Sequence, residues 1–365
     1  MKQDVENTKS LIIDMIKCYS VNDYTSVKKI MISGGVDWGF FCEKVIKNKL
    51  ENLAWIVFNK CVDFEELVPF YIREFLAKLY YINRERIDIY NKYFKDISGI
   101  LSDNDVEYAV VKGISLEHDL YDNDYVKRIS DVDMLIHKDD ASKVKKLFGS
   151  LGMSEGRFNY ISNNIEPLSR EKQMFYKMTS DHLPEHFYMT DERICPFLKI
   201  DVSTSFDWIN RKENSLMSSF LKENVVMQRI DNCYSISTLE PTAHFIYLLN
   251  HFHRHAWSYR FITRDISIRL CMTNDIYMYW HKHKEEIKSN FGKYVLEKKD
   301  KERISWALYY IDQLYCCNIQ REMQMENYMK NINCAFGKNE TIVKWDGNIE
   351  ERIWAYRERD VFSFI

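Results

Sequence analysis

The sequence predicts an α+β protein, mostly helical, with a small mixed β-sheet core between N- and C-terminal helical lobes. Three observations predict it. Apolar residues recur at helical spacing before Leu101 and again beyond Glu213. Between them lie short β-favouring runs at Tyr108–Val111, Ser130–Ile136, His186–Thr190 and Phe197–Ser203. The 365 residues include only 5 prolines and 11 glycines, as expected of long elements joined by short connections. The expected division is 1–102 helical, 103–210 sheet core and 211–365 helical.

In chain order, Leu11, Ile12, Ile13, Met15 and Ile16 form the first apolar stripe, and Tyr24–Met31 a second short helix. Ser33-Gly34-Gly35 breaks the chain, and Asp37 is the expected N-cap of one long run to Cys61. A helix starts near Phe64 and is kinked or restarted by Pro69. From Tyr71 the helical pattern continues almost to Leu101, and Ser102–Asp105 turns it into the first strand. That strand stops at Lys112-Gly113, and a helix-compatible stretch follows to Tyr121. Asp139 and Asp140 are expected to cap a helix to Leu151, with Gly152 as its stop. Its Lys143, Lys145 and Lys146 read as a solvated face. Residues 153–184 carry no clear pattern. His186–Thr190 and Phe197–Ser203 then form a hairpin, and helices continue to the aromatic tail Trp354–Ile365.

Composition narrows the function. The net charge of −3 offers no global basic field for nucleic acid. Nine cysteines without a C-x-x-C pair read as reduced thiols of a cytoplasmic protein. No apolar signal core follows Met1, and no apolar run is long enough to span a membrane, so no membrane association is expected.

The chemistry concentrates in Ser130-Asp131-Val132-Asp133-Met134-Leu135-Ile136. Alternate side chains of a strand share a face, so Asp131 and Asp133 project together while Val132, Met134 and Ile136 go to the core. Two neighbouring carboxylates on a half-buried strand repel each other and call for a positive partner, for which a divalent metal is the usual solution.

With Val111-Lys112-Gly113 before it and Arg128 at its head, this segment reads K-G, helix, R-x-x-D-x-D, apolar run. The pattern resembles the nucleotidyltransferase superfamily of the DNA polymerase β type. More narrowly, it resembles the bacterial uncharacterised nucleotidyltransferase family, which carries L-K-G and R-x-x-D-[IV]-D-[LM]-L. The resemblance implies a nucleotidyltransferase core in the middle of the chain and a third carboxylate on a later, adjacent strand. Asp201 in Ile200-Asp201-Val202-Ser203 fits that place. The relatives show V-D-L-H there, so Ser203 stands where they have His.

It also implies two Mg²⁺ ions held by Asp131, Asp133 and Asp201, with transfer of a nucleoside monophosphate from an NTP (ATP by default). Lys112, Gly113, Arg128 and Ser130 would contact the nucleotide, Lys112 as a point charge on the triphosphate and Arg128 as a planar clamp. His251 and His255 share a helical face in LLNHFHRHAW, flanking His253, and with Asp265 they match a family segment expected to line a pocket. His186 is a further polar residue near the hairpin. The expected acceptor is a small molecule or protein rather than RNA. The alternatives are an RNA-modifying enzyme, to be recognised by a basic groove near Asp131, and a non-catalytic nucleotide-sensing or protein-interaction scaffold.

Overall fold

A computed structural model describes residues 2–61, 64–179, 182–205, 221, 223–231, 234–294, 296, 298–329, 343–345 and 347–364. The chain divides into two compact units, one of Met1–Tyr80 with Phe245–Ile365, the other of Tyr81–His244.

The first unit is helical, as the apolar spacing requires. α1 (Lys2–Val21) buries Leu11, Ile12, Met15 and Ile16, and α2 (Thr25–Ser33) buries Val27 and Met31. The Asp37 carboxylate accepts from Phe40 N (2.9 Å) and caps α3 (Trp38–Lys47), as the sequence predicts. The single run to Cys61 is corrected to two helices, because α4 (Glu51–Lys60) starts after a break. Lys49 there adopts φ +55°, and the buried Asn48 turns its amide onto Lys44 O (2.9 Å) while accepting from Leu270 N (2.9 Å). A polar residue that satisfies backbone groups on both sides is a terminator that apolar periodicity does not register. The short α5 (Phe64–Leu67) leads to Pro69, after which α6 (Phe70–Asp103) starts afresh; the division between the units falls within α6.

The second unit holds a seven-stranded mixed sheet. β1 (Tyr108–Val110) is followed by α7 (Ile114–Leu120), β2 (Val132–Ile136) and α8 (Ala141–Ser150). The Asp140 side chain makes no capping hydrogen bond to α8; a 3₁₀ turn at Lys138–Asp140 leads into the helix instead. Residues 153–184, unassigned from sequence, contain β3 (Ser154–Glu155), the hairpin β4 (Arg157–Asn159) and β5 (Asn164–Glu166), and α9 (Arg170–Thr179). The predicted hairpin is β6 (His186–Met189) paired antiparallel with β7 (Phe197–Ser203).

The expectation of helices from Glu213 falls partly outside the described residues. Within them it is corrected by β8 (Val225–Arg229) and β9 (Ser235–Leu239), which precede α10 (Pro241–Trp257). β8 is the largely exposed edge of the sheet, so its burial pattern is weak although Val225, Val226 and Met227 are apolar. The order is β3-β6-β7-β2-β1-β9-β8, with β2 parallel to β7 and antiparallel to β1.

One face of this sheet is apolar. Val132, Met134, Ile136, Leu198, Ile200 and Val202 pack with Ile87, Tyr90, Phe94 and Ile97 of α6 and with Val144 and Phe148 of α8. Every second residue of β2 and β7 is thereby committed to the core, and the intervening residues must face the other way. That geometry positions the site. The rest of the first unit is helical for the most part, with α11 (Tyr259–Ile262), α12 (Leu270–Asn290), α13 (Lys298–Tyr315), α14 (Ile319–Glu322) and α15 (Ile349–Trp354). No helix of the described residues is long and apolar enough to cross a membrane.

Candidate active site

β2 and β7 run side by side with Asp133 level with Asp201 and Val132 level with Ile200. The predicted third carboxylate is therefore the direct lateral neighbour of the D-x-D pair. One residue before β2, Asp131 meets Lys199 of β7, whose Nζ lies 2.9 Å from Asp131 Oδ2 and 3.3 Å from Glu185 Oε1. Lys112 arrives from the end of β1, with its Nζ 2.6 Å from Asp133 Oδ1. His182 is bridged to Ser203, and its Nδ1 lies 3.2 Å from Asp201 Oδ1. A carboxylate only accepts, so Nδ1 donates to Asp201, and the Ser203 hydroxyl lies against the same ring, 3.0 Å from Nδ1 and 3.2 Å from Nε2.

The electrostatics follow from crowding acidic groups on a half-buried face. Burial pushes the Asp133 carboxyl up; Lys112 opposes this, while the charges of Asp131 and Asp201 add to it, and the balance lies above the usual value. Burial acts on Asp131 in the same sense, but the Lys199 ammonium overcomes it and brings that carboxyl below its usual range. At Asp201 burial again pushes upward, but the His182 hydrogen bond and charge, with Lys112 and Lys199, together prevail and draw the carboxyl down to about 2. The Lys199 ammonium is pushed up: burial works against it, but Asp131 and Glu185 prevail.

The segment that delivers Asp131 is fixed from two sides. Asn83 of α6 donates to Tyr125 O (3.0 Å) and Lys127 O (2.9 Å), and the Tyr90 hydroxyl donates to Ser130 O (2.8 Å). Glu117 of α7, fully buried, accepts from Val126 N (3.2 Å) and Lys127 N (2.6 Å), and burial pushes its carboxyl up to about 7. Between these anchors Asp122, Asn123 and Tyr125 have φ of 48°, 64° and 61°, an uncommon conformation for residues with side chains and one that the surrounding bonds must hold. Gly113 has φ +55° and ψ −109°, which only glycine adopts readily, and it lets the chain turn at Lys112. The buried His244 donates from Nε2 to Val111 O (2.6 Å), pinning the backbone just before Lys112.

Of the predicted residues, the structure brings together Asp131, Asp133, Asp201 and Lys112, with Gly113 at the adjoining turn. Ser130 is exposed and its hydroxyl donates to Asp131 Oδ1 (3.0 Å); Arg128 is exposed. His186 is buried, edge-on to Phe148 at 5.0 Å, with its Nε2 3.4 Å from Glu155 Oε1. His251, His253, His255 and Asp265 belong to the other unit. There the rings of His251 and His255 lie 4.3 Å apart and His255 stacks on Phe261 at 4.1 Å. His253 is buried edge-on to Trp306 at 5.3 Å, and burial, then Arg303, draws its pKa down to about 3. Asp265 follows α11 with φ +57°.

Sequence reasoning missed Lys199, Glu185 and His182. The alternation that paired Asp131 with Asp133 applies equally to Lys199, Asp201 and Ser203, so Lys199 was within reach of the same argument. His182 lies outside any regular strand and had no such signal.

The donor set is hard carboxylate oxygen, which fits Mg²⁺, and the ammonium groups of Lys112 and Lys199 stand as cations against it. Among the described residues, no three acidic, His or Cys side chains converge closely enough to hold one ion in this arrangement. Binding would therefore require a lysine to yield its carboxylate.

A mixed sheet bearing acidic residues on two adjacent parallel strands, with a lysine–glycine turn beside them, belongs to the nucleotidyltransferase class by comparison as well as by motif. A family model described as "Uncharacterised nucleotidyltransferase" matches residues 34–319, and the chain belongs to that family. Comparison with curated proteins and with solved structures returns no match.

Proposed function

We propose that the protein is a Mg²⁺-dependent nucleotidyltransferase that moves a nucleoside monophosphate from an NTP, ATP by default, to a small-molecule or protein acceptor. The observation that carries this is the register of β2 against β7, which sets Asp201 beside Asp133. Asp131, Asp133 and Asp201 are the residues that would hold Mg²⁺, which when bound neutralises charge on the triphosphate and acidifies an acceptor hydroxyl. Lys112, at the mobile end of a flexible side chain beside the Gly113 turn, transfers its charge from Asp133 to the phosphates. Ser130 and Arg128, exposed at the head of β2, contact the nucleotide.

The acceptor oxygen bonds to the α-phosphorus, the α-phosphorus–oxygen bond to the β-phosphate breaks, and pyrophosphate leaves with the bond's electron pair. Asp201, ionised throughout the physiological range, takes up the proton lost by the acceptor. His182 holds the Asp201 carboxylate in place through its Nδ1 hydrogen bond.

A second reading, a nucleotide-sensing scaffold without catalysis, draws on Lys112 and Lys199, which already balance two of the carboxylates. A thermal-shift titration with each NTP, with and without Mg²⁺, tests the proposal on wild type and on Asp131→Asn/Asp133→Asn. A ligand at about 100 times its Kd stabilises the folded chain by about 2.7 kcal/mol. A Mg²⁺-dependent shift that the double variant loses supports the enzyme. A shift that ignores both Mg²⁺ and the variant supports the scaffold, and no shift with any NTP refutes both.

A further inference from the structure

We propose that Lys199 is a resident cation of the carboxylate cluster, so that the site takes one divalent cation, on Asp133 and Asp201, rather than two. The inference rests on the metal-dependent reading above and concerns the number of ions.

The argument is a charge ladder across two strands. The burial of β7 alternates residue by residue, which puts Lys199, Asp201 and Ser203 on one face, opposite Leu198, Ile200 and Val202. Pairing with β2 sets Asp133 level with Asp201, two carboxylates on one rung that share a single ammonium, Lys112 Nζ at 2.6 Å from Asp133 Oδ1. One step back along both chains, Lys199 Nζ is 2.9 Å from Asp131 Oδ2, so the next rung carries one charge of each sign and is neutral within itself. With both lysines counted, the Asp133–Asp201 rung keeps a residual negative charge for a divalent ion and the Asp131–Lys199 rung does not.

Lys199 is also held from a second side, by Glu185 Oε1 at 3.3 Å, and its side chain is only 20% exposed. Lys199 is thus clamped between carboxylates from two neighbouring segments, whereas Lys112 sits on the turn that follows β1. A second divalent ion at Asp131 would have to expel Lys199 or sit beside it, and like charges at that range repel strongly in a half-buried site. The single charge that balances Asp131 is already supplied by the chain.

Counting bound Mn²⁺ by electron paramagnetic resonance on the full chain, with Mn²⁺ alone and then with α,β-methylene-ATP, tests this. Wild type is expected to saturate at one Mn²⁺ per chain in both conditions. Lys199→Met, which removes the charge while keeping an unbranched apolar stem, should bind a second ion, and Lys199→Arg should return to one. Two ions on the wild type, or still one on a folded Lys199→Met chain, overturns the inference. If Lys199→Met does not fold, the wild-type stoichiometry decides alone. No Mn²⁺ bound to the wild type in either condition instead removes the metal-dependent reading on which the inference rests.

Discussion

Glu117 is the residue through which pH acts most directly on the architecture of the site. It is fully buried on α7, four residues beyond Gly113, and its two oxygens accept the Val126 and Lys127 amides that start the approach to Asp131. Burial raises its carboxyl from an ordinary 4.5 to about 7. A carboxyl whose folded pKa exceeds its unfolded one binds more protons in the folded state between those values. Its contribution is complete below the unfolded pKa and is lost as pH rises through the folded one. The displacement of 2.5 units is worth about 3.4 kcal/mol in full, of which about 2.5 kcal/mol falls between about pH 5 and about pH 8. The expected result is a wild-type chain that weakens across that interval relative to Glu117→Gln. The variant carries no titration there, though its amide nitrogen must face a backbone donor at a fixed cost of about 1–3 kcal/mol. Urea unfolding followed by circular dichroism at the two pH values measures the difference, and a ¹³C-carboxyl shift titration locates the midpoint directly. A midpoint below about 5, or a wild-type-minus-variant difference that does not change with pH, refutes the reasoning.

Two further outcomes follow from the same geometry. Gly113→Ala should cost about 1–3 kcal/mol through backbone strain alone, since the added Cβ would lie an ordinary 3.4 Å from Asp131 O; an unchanged melting temperature would show that the turn tolerates a side chain. In the first unit Arg352 is fully buried, with its Nη2 2.7 Å from Glu358 Oε1 and 2.6 Å from Ala256 O. Glu358→Ala strands that charge and should cost about 3–5 kcal/mol, whereas replacing both residues, Arg352→Met with Glu358→Leu, should recover most of the loss in the same denaturation assay.

The sequence already contained most of the acidic face, because a strand's period of two is strict. Val132, Met134 and Ile136 had to go inward, which left Asp131 and Asp133 pointing the other way, and the same rule aligned Asp201 on β7. The seven-stranded order was not legible, since β8 runs Val-Val-Met-Gln-Arg along an exposed edge and β9 mixes serine and threonine with its apolar residues, so neither shows a clean alternation. Nor was the break at Asn48–Leu50, where a single buried amide ends a helix inside an apolar run.

The residues that escaped detection share one physical feature: they matter through lateral register rather than through their own segment. Glu185 lies just before β6, Lys199 is on β7 and His182 sits at a bridge to Ser203, and each gains meaning only from what the neighbouring strand sets beside it. Ser203 makes the point most clearly. A histidine expected at that position by resemblance is replaced by serine, yet an imidazole still reaches Asp201, carried by His182 and in contact with the Ser203 hydroxyl itself. The chemistry of the third carboxylate therefore depends on a pairing that crosses 21 residues of chain, as the His182–Ser203 contact shows. A departure in the motif and a residue with no motif are two halves of one arrangement, and only the sheet brings them together.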